Sequence, residues 1–290
     1  MADGSQTVSD VIHAHFGTLT RAEKQLAQSL LENYPISGLG SITIIAENAG
    51  VSTPTVVRMV QKLGYKGYPE FQAHLHQELE ATISNPITKH DRWASNAPQG
   101  HVLIRIADSI MNNMRQTLGD MDTATFDAAS ELLSDRRRNV YFVGGRITGS
   151  IAEYFFTHMQ VIRAKATLIS LHSSSWPQYV LNMNAGDVLV IFDIRRYEQE
   201  MVTLAEAAKA NGVIIILFTD QWGSPAAKHA RHVFRVRIEV PSAWDSSVVT
   251  LFVVEALIEA IQTRTWDDTR ERMRTLEGLF EQTRLFRRLT

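Results

Sequence analysis

Thr55, Arg58, Gln61 and Lys62 recur at helical spacing, and all four side chains are able to hydrogen-bond. A guanidinium and an ammonium one turn apart suit guanine edges or phosphate oxygens, and spacing alone does not separate the two. Val56, Met59, Val60 and Leu63 share the opposite face. A helix divided in this way packs one side on a small core and offers the other to a DNA major groove. A solvated amphipathic hairpin has the same pattern. From Ser52 to Tyr68 the charged residues are Arg58, Lys62 and Lys66, all basic. Ser52 and Thr53 stand at the start of this helix, where a hydroxyl caps the backbone or reaches a phosphate. Lys66 lies just past its end, as a candidate for a backbone contact.

A second set of polar residues follows apolar runs: Gly144 to Thr148, His172 to Ser175, Asp193 to Glu198, and Thr219 with Asp220. Arg146, Arg195 and Arg196 could form an anion pocket with the hydroxyls of Thr148, Ser173, Ser174 and Ser175, because guanidinium groups bind oxyanions in a fork. Equally, Asp193 and Glu198 could neutralise the arginines in an ion-pair network that closes the pocket. His172 is placed to meet a ligand, although a lone histidine is more often satisfied structurally. Asp193, Glu198 and His172 are the obvious acid/base candidates, and no hydrolase or kinase motif accompanies them. Neither an enzyme nor a catalytic residue is therefore expected. His74 and His76 point to different faces of one helix, and His229 with His232 has no third ligand nearby, so no metal or cofactor is expected.

The elements that position these groups follow from periodicity. Val8 to Phe16 reads as a short helix, and Thr20 with Glu23 fits a capping box for the next. Ser41 caps a helix bearing Ile42, Ile45, Ala46 and Ala49 on one face. Gly50 marks a left-handed turn, and Ser52 with Pro54 opens the following helix. Glu70 to Ala81 is another helix. Asn85-Pro86 and Ala97-Pro98 give residues 82–100 the character of a linker. Val102 to Leu118 and Phe126 to Leu133 are helical. From Asn139 the period changes. The runs Val140–Val143, Ala166–Leu171, Asp187–Phe192, Val213–Phe218 and His232–Ile238 alternate with helices, which predicts a buried parallel sheet flanked by helices. Ligands of such sheets gather at the C-terminal strand ends. Trp266 to Thr290 reads as one more helix, whose Arg284, Arg287 and Arg288 form a basic end.

The chain has 290 residues and no cysteine. That length predicts two domains: residues 1–81, all-α with a helix-turn-helix, and residues 101–290, α/β. The lack of cysteine excludes disulfides, thiolate metal sites and cysteine nucleophiles. The start MADGSQTVSD lacks a secretory pattern and no apolar run is long enough to span a bilayer, so a cytoplasmic protein is expected. Net charge is −2, so any attraction to nucleic acid rests on local patches.

The stretches LTRAEKQLAQSLLENYP and IAENAGVSTPTVVRMVQKLGYKGYPEFQAHL resemble the RpiR group of bacterial transcriptional regulators over nearly all of Leu19 to Leu79. VYFVGGRITGSIAEYF, GDVLVIFD, AEAAKANGVIIILFTD and SPAAKHA resemble a SIS (sugar isomerase) domain over about Asn139 to Ala260. The resemblance implies a regulator that binds double-stranded operator DNA and senses a small anionic metabolite such as a sugar derivative. It also implies a homodimer or homotetramer and no membrane. Two departures matter. SIS domains usually carry G-x-G-x-S after their first strand, and this chain has Gly144-Gly145-Arg146-Ile147-Thr148. Their hydroxyl-rich S-x-S-G-x-T is replaced by Asp193-Ile194-Arg195-Arg196-Tyr197-Glu198. Charges in place of hydroxyls favour an effector with an anionic end and a donor-rich end. An isomerase fused to a helical domain, and a DNA-binding protein whose sheet domain only oligomerises, are the competing readings.

Overall fold

Capped short helices build the N-terminal part. The structure, a computed structural model, describes residues 7–32, 34–83, 85–95, 100–284 and 286. Helix α1 (Val8–His15) opens on a capping box between Thr7 and Asp10. Helix α2 (Arg21–Glu32) opens on the expected pair, with the Thr20 N–H donating to Glu23 Oε2 at 2.8 Å. Helix α3 (Ile42–Asn48) is capped by Ser41 Oγ, which accepts from the Ile44 N–H. Gly50, at φ +62°, turns the chain into α4 (Thr53–Lys62). A side chain would be strained in that left-handed conformation. Helix α5 (Tyr68–Ile83) follows. Ile12, Leu26, Ile45, Met59, Phe71 and Leu75 from all five helices share one core.

Helix α6 (Pro86–Ser95) lies inside the stretch expected to be a linker. Asn85 Oδ1 accepts from the Thr88 N–H at 2.9 Å, and Pro86 takes the first helical position. Asn-Pro thus starts a helix here, because a residue at that position needs no N–H. Residues 84 and 96–99 of that stretch lie outside the described residues.

Helices α7 (Val102–Asp120) and α8 (Thr123–Ser134) lead into a five-stranded sheet. Its strands are β1 (Val140–Gly144), β2 (Ala166–Leu168), β3 (Val188–Phe192), β4 (Ile214–Asp220) and β5 (His232–Val236). All pairings are parallel and the order is β2-β1-β3-β4-β5. Between them run α9 (Gly149–Ile162), α10 (Trp176–Asn182) and α11 (Gln199–Ala210); α12 (Val248–Arg264) and α13 (Trp266–Thr283) complete the chain. Val140, Phe142 and Val190 face a core shared with α8, α9 and α12. Tyr141, Val143, Leu189 and Ile191 face the core under α10 and α11. Period-2 alternation delivers apolar residues to both faces, which is why the strands read as continuous apolar runs. The second strand is shorter than its sequence pattern, ending at Leu168. Helix α13 ends at Arg284, in the left-handed region at φ +53°. Arg287 and Arg288 lie outside the described residues.

One ion pair ties the helical head to the sheet. Arg237, one residue past β5, donates to Asp10 of α1 at 2.7 Å and to Asp120 of α7 at 3.2 Å. None of the described helices is long and apolar enough to cross a membrane.

Candidate functional site

On α4, Arg58 and Gln61 are exposed, as are Ser52 before it and Lys66 beyond it; Thr53 is half-buried. Thr55, expected on the same outward face, is instead 6% exposed. Its hydroxyl lies 2.9 Å from Ser52 Oγ and accepts from Arg58 Nη2 at 3.2 Å. Ser52 occupies the cap position but makes no side-chain bond to the helix backbone. Thr55 therefore orients Arg58 from below the exposed surface. Lys62 has partners of its own. Its ammonium donates to the Thr18 carbonyl at 2.6 Å and to Glu23 at 3.1 Å, pinning the end of α4 to α2. Burial alone would raise the Glu23 carboxyl, but the bonds from Thr20 and Lys62 outweigh it and hold the group below its usual value.

The second site follows from strand order. The chain runs from β1 outward to β2 and then back across to β3, so the crevice between the ends of β1 and β3 is a topological switch point. A cavity of about 580 Å³ opens there. The β1–α9 loop supplies Gly145 to Thr148, the β3–α11 loop supplies Asp193 to Arg196 and Glu198, and the segment before α12 supplies Ala243, Trp244, Asp245 and Ser247. Pro86 and Lys89 of α6 close one side.

Gly144, expected at the pocket, is buried and does not line it; an added Cβ there would lie 2.5 Å from the Thr148 carbonyl oxygen. The Thr148 hydroxyl donates to the Phe192 carbonyl and accepts from the Gly145 N–H, both at 2.8 Å, so it stitches the two loops together. Glu198 crosses between the same loops, with Oε1 accepting from the Arg146 N–H at 3.2 Å.

The three arginines differ. Arg146 and Arg196 are exposed at the cavity. The Arg195 side chain is 6% exposed and paired with Glu239 at 3.2 Å and Asp245 at 3.3 Å. Its guanidinium also sits 4.2 Å from the Trp222 ring centroid. Arg195 is therefore part of the wall, paired with Glu239 and Asp245 rather than with the Asp193 and Glu198 of the expected ion-pair network. The loop backbone is unusual, with Arg195 at φ +24° and Arg196 at φ +57°. Asp220, fully buried, secures it by accepting from the Arg195 N–H at 2.7 Å and the Tyr197 hydroxyl at 2.5 Å. Burial pushes the Asp220 carboxyl up, and it pushes the Tyr197 phenol well above its usual value. Asp193, 3% exposed, accepts from the Ser224 hydroxyl and the Glu198 N–H. Burial raises its carboxyl from 3.8 to about 6.

His172, Ser173 and Ser174, expected at the pocket, are exposed and do not line it. They form a turn after β2 in which Ser175 Oγ donates to the His172 carbonyl, while the Trp176 indole anchors Ser170. The loop after a strand at the sheet's far edge is not at the switch point. Sequence reasoning missed Lys89, Trp244 and Asp245. The Asn-Pro start of α6 was the available signal for the first. Nothing local marks the other two, which come from a segment without regular structure.

The helix-turn-helix domain of the rpiR family matches residues 7–82, and the SIS domain matches residues 132–260. The transcriptional regulator HexR of Pseudomonas aeruginosa is 24% identical over 94% of this chain and 95% of its own. The Escherichia coli regulator of that name is 22% identical over 96% of both. Among solved structures, the sugar isomerase domain of an RpiR transcription factor from Sphaerobacter thermophilus aligns with a TM-score of 0.58 and 21% identity, covering 62% of this chain and 99% of that one. NanR of Vibrio vulnificus aligns with a TM-score of 0.54 and 18% identity over 94% of this chain and 98% of that one. Head and sheet together define a helix-turn-helix transcriptional regulator with a SIS domain. Within that class it is a regulator of the RpiR type, pairing an rpiR-family helix-turn-helix domain with a SIS domain.

Proposed function

We propose that this regulator binds operator DNA through α4 and senses, in the strand-end cavity, a small metabolite with an anionic group and several hydroxyls. It does so without catalysing a reaction. The observation that carries the sensor reading is Arg196. It stands on the rim of a cavity of about 580 Å³, in a backbone conformation at φ +57° that arginine rarely adopts. A non-glycine residue held there costs about 1–2 kcal/mol, and such strain gathers at ligand sites. Arg196 and Arg146 supply forked donors for a carboxylate or phosphate. Glu198 and Ser247 supply acceptors for ligand hydroxyls. The solved NanR structure holds ManNAc-6P, a phosphorylated sugar of this general chemistry. Asp193 lines the cavity but is engaged by Ser224 and the Glu198 N–H, which leaves a poor general base.

On the head, Arg58 and Gln61 read base edges or phosphates, with Ser52, Thr53 and Lys66 at the backbone and Thr55 and Lys62 holding the helix in place. A symmetric oligomer would set two α4 helices on the half-sites of a near-palindrome. Calorimetry with glucose 6-phosphate, 6-phosphogluconate and inorganic phosphate tests the sensor. A sugar phosphate or sugar acid should bind the parent, and Arg196→Ala should weaken it about ten-fold or more. Equal binding by Arg196→Ala and Arg146→Ala would move the effector elsewhere.

A further inference from the structure

Among the described side chains of the helix between the two domains is a buried cation. On α6, Ile87 is 73% exposed and the His90 side chain 68%, but Lys89 is 3% exposed. Its ammonium reaches across to Asp245 Oδ1 at 2.5 Å and lines the strand-end cavity beside Arg146 and Arg196. We propose that Lys89 is an effector-binding residue, contributed to the SIS cavity by the helix that leads from the DNA-binding head. This rests on the sensor reading above and adds to it a second element and a direction of coupling.

Three observations carry the inference. First, burying an ammonium is costly unless its partners offset the lost hydration. The partner here is divided, because Asp245 also pairs with Arg195 at 3.3 Å. Second, an ammonium has three N–H donors, and Asp245 accepts one of them. The cavity is where an anion's oxygens would meet the others. Third, the cations lining the cavity are Lys89, Arg146, Arg195 and Arg196, set against Asp193, Glu198 and Asp245. Even with the Asp193 carboxyl ionised, as a group at about 6 is near neutral pH, four cations on the wall face three carboxylates. An anion bridging Lys89 and Arg196 would supply the missing negative charge.

The position of Lys89 gives the contact a consequence. Helix α5 ends at Ile83 and α6 begins at Pro86. Phe71 and Leu75 of α5 belong to the core on which Met59 and Val60 of α4 pack. A ligand that grips Lys89 therefore grips the element continuous with the DNA-reading domain.

The test uses the full chain with glucose 6-phosphate, 6-phosphogluconate and inorganic phosphate as probes. Calorimetry should show at least ten-fold weaker binding to Lys89→Met than to the parent, with Ile87→Ala unchanged. The chain has no cysteine, so Lys89→Cys creates a unique thiol. At a probe concentration shown by calorimetry to saturate Lys89→Cys, the probe should slow its alkylation by iodoacetamide at least five-fold, and should leave the thiol of Ile87→Cys untouched. This second readout decides the matter if Lys89→Met does not fold. Parent-like affinity in Lys89→Met, or an unprotected thiol at position 89, overturns the inference. If Arg196→Ala still loses affinity in that case, the cavity reading survives alone. If no probe binds the parent, the cavity reading falls and takes this inference with it.

Discussion

Replacing Gly144 with alanine tests whether the β1–α9 turn that lines the cavity is as rigid as its geometry implies. The new Cβ would lie 2.5 Å from the Thr148 carbonyl oxygen, 2.6 Å from its carbonyl carbon and 2.7 Å from the Gly149 nitrogen. All three are backbone atoms at the start of α9, so no side chain can swing aside. The turn would have to move outward, away from β3. That movement breaks the bonds from the Gly145 N–H to Thr148 Oγ1 and from Thr148 Oγ1 to the Phe192 carbonyl. Overpacking of this kind costs about 1–3 kcal/mol, and each of the two lost bonds about 1 kcal/mol, which makes about 3–5 kcal/mol in total. Urea denaturation followed by circular dichroism should show the midpoint of the α/β transition falling with an unchanged slope. Gly278→Ala is the control. It sits in α13 with nothing within 4 Å of an added Cβ, and should stabilise by about 0.5–1 kcal/mol. A Gly144→Ala transition within about 0.5 kcal/mol of the parent would show that the turn adapts freely, and the argument for a preformed anion site would fail.

Arg58→Ala should weaken binding to a selected operator duplex by about 1–3 kcal/mol at one base pair if it reads a base, or flatten the salt dependence if it holds phosphate; parent-like affinity and slope in gel-shift titrations would remove α4 from the interface. Lys62→Ala should instead lower the melting temperature of the head through loss of its bonds to Thr18 and Glu23, and an unchanged melting temperature would contradict that anchoring role. The Asp193 carboxyl sits at about 6 in the folded chain against 3.8 for the free group. Between those values the native state binds more protons than the unfolded one, so stability should fall as pH rises through about 4 to 6 and level off above, a change of about 3 kcal/mol that Asp193→Asn should flatten in denaturant titrations across pH. Incubation with aldose and ketose phosphates should yield no interconversion by chromatography; turnover lost in Asp193→Ala would reverse the non-enzymatic reading.

The elements were legible in the sequence because their signals are local. The Thr20–Glu23 box, Gly50 and the apolar runs each depend on a few neighbouring residues, and the structure places α2, the α3–α4 turn and the parallel sheet where they fall. The helix at Pro86–Ser95 was hidden because proline opens a helix as readily as it ends one. The cavity was legible only in outline. Strand ends locate Gly144 to Thr148 and Asp193 to Glu198, but strand order decides that the His172 to Ser174 loop lies outside. Whether Arg195 or Arg196 meets the ligand depends on Glu239, Asp245 and Trp222, which are remote in sequence. Thr55 illustrates the finer limit: helical spacing put it beside Arg58, and only packing shows that it lies beneath.

The segment after β5 has two ends with different holds. At one, Arg237 grips Asp10 of α1; at the other, Trp244 and Asp245 form part of the cavity wall. Just past Asp245, the Ser246 N–H donates to the Ile238 carbonyl at 2.9 Å, folding the stretch back on itself. If it moves as a short rocker, the head rides on one arm and the cavity on the other. Thermodynamic reciprocity fixes what such a rocker must do. If filling the chamber loosens the grip on α1 by some factor, then prising α1 away must tighten the chamber by that same factor. Operator DNA, by choosing where the head sits, would then set the affinity for the metabolite as surely as the metabolite sets the affinity for DNA.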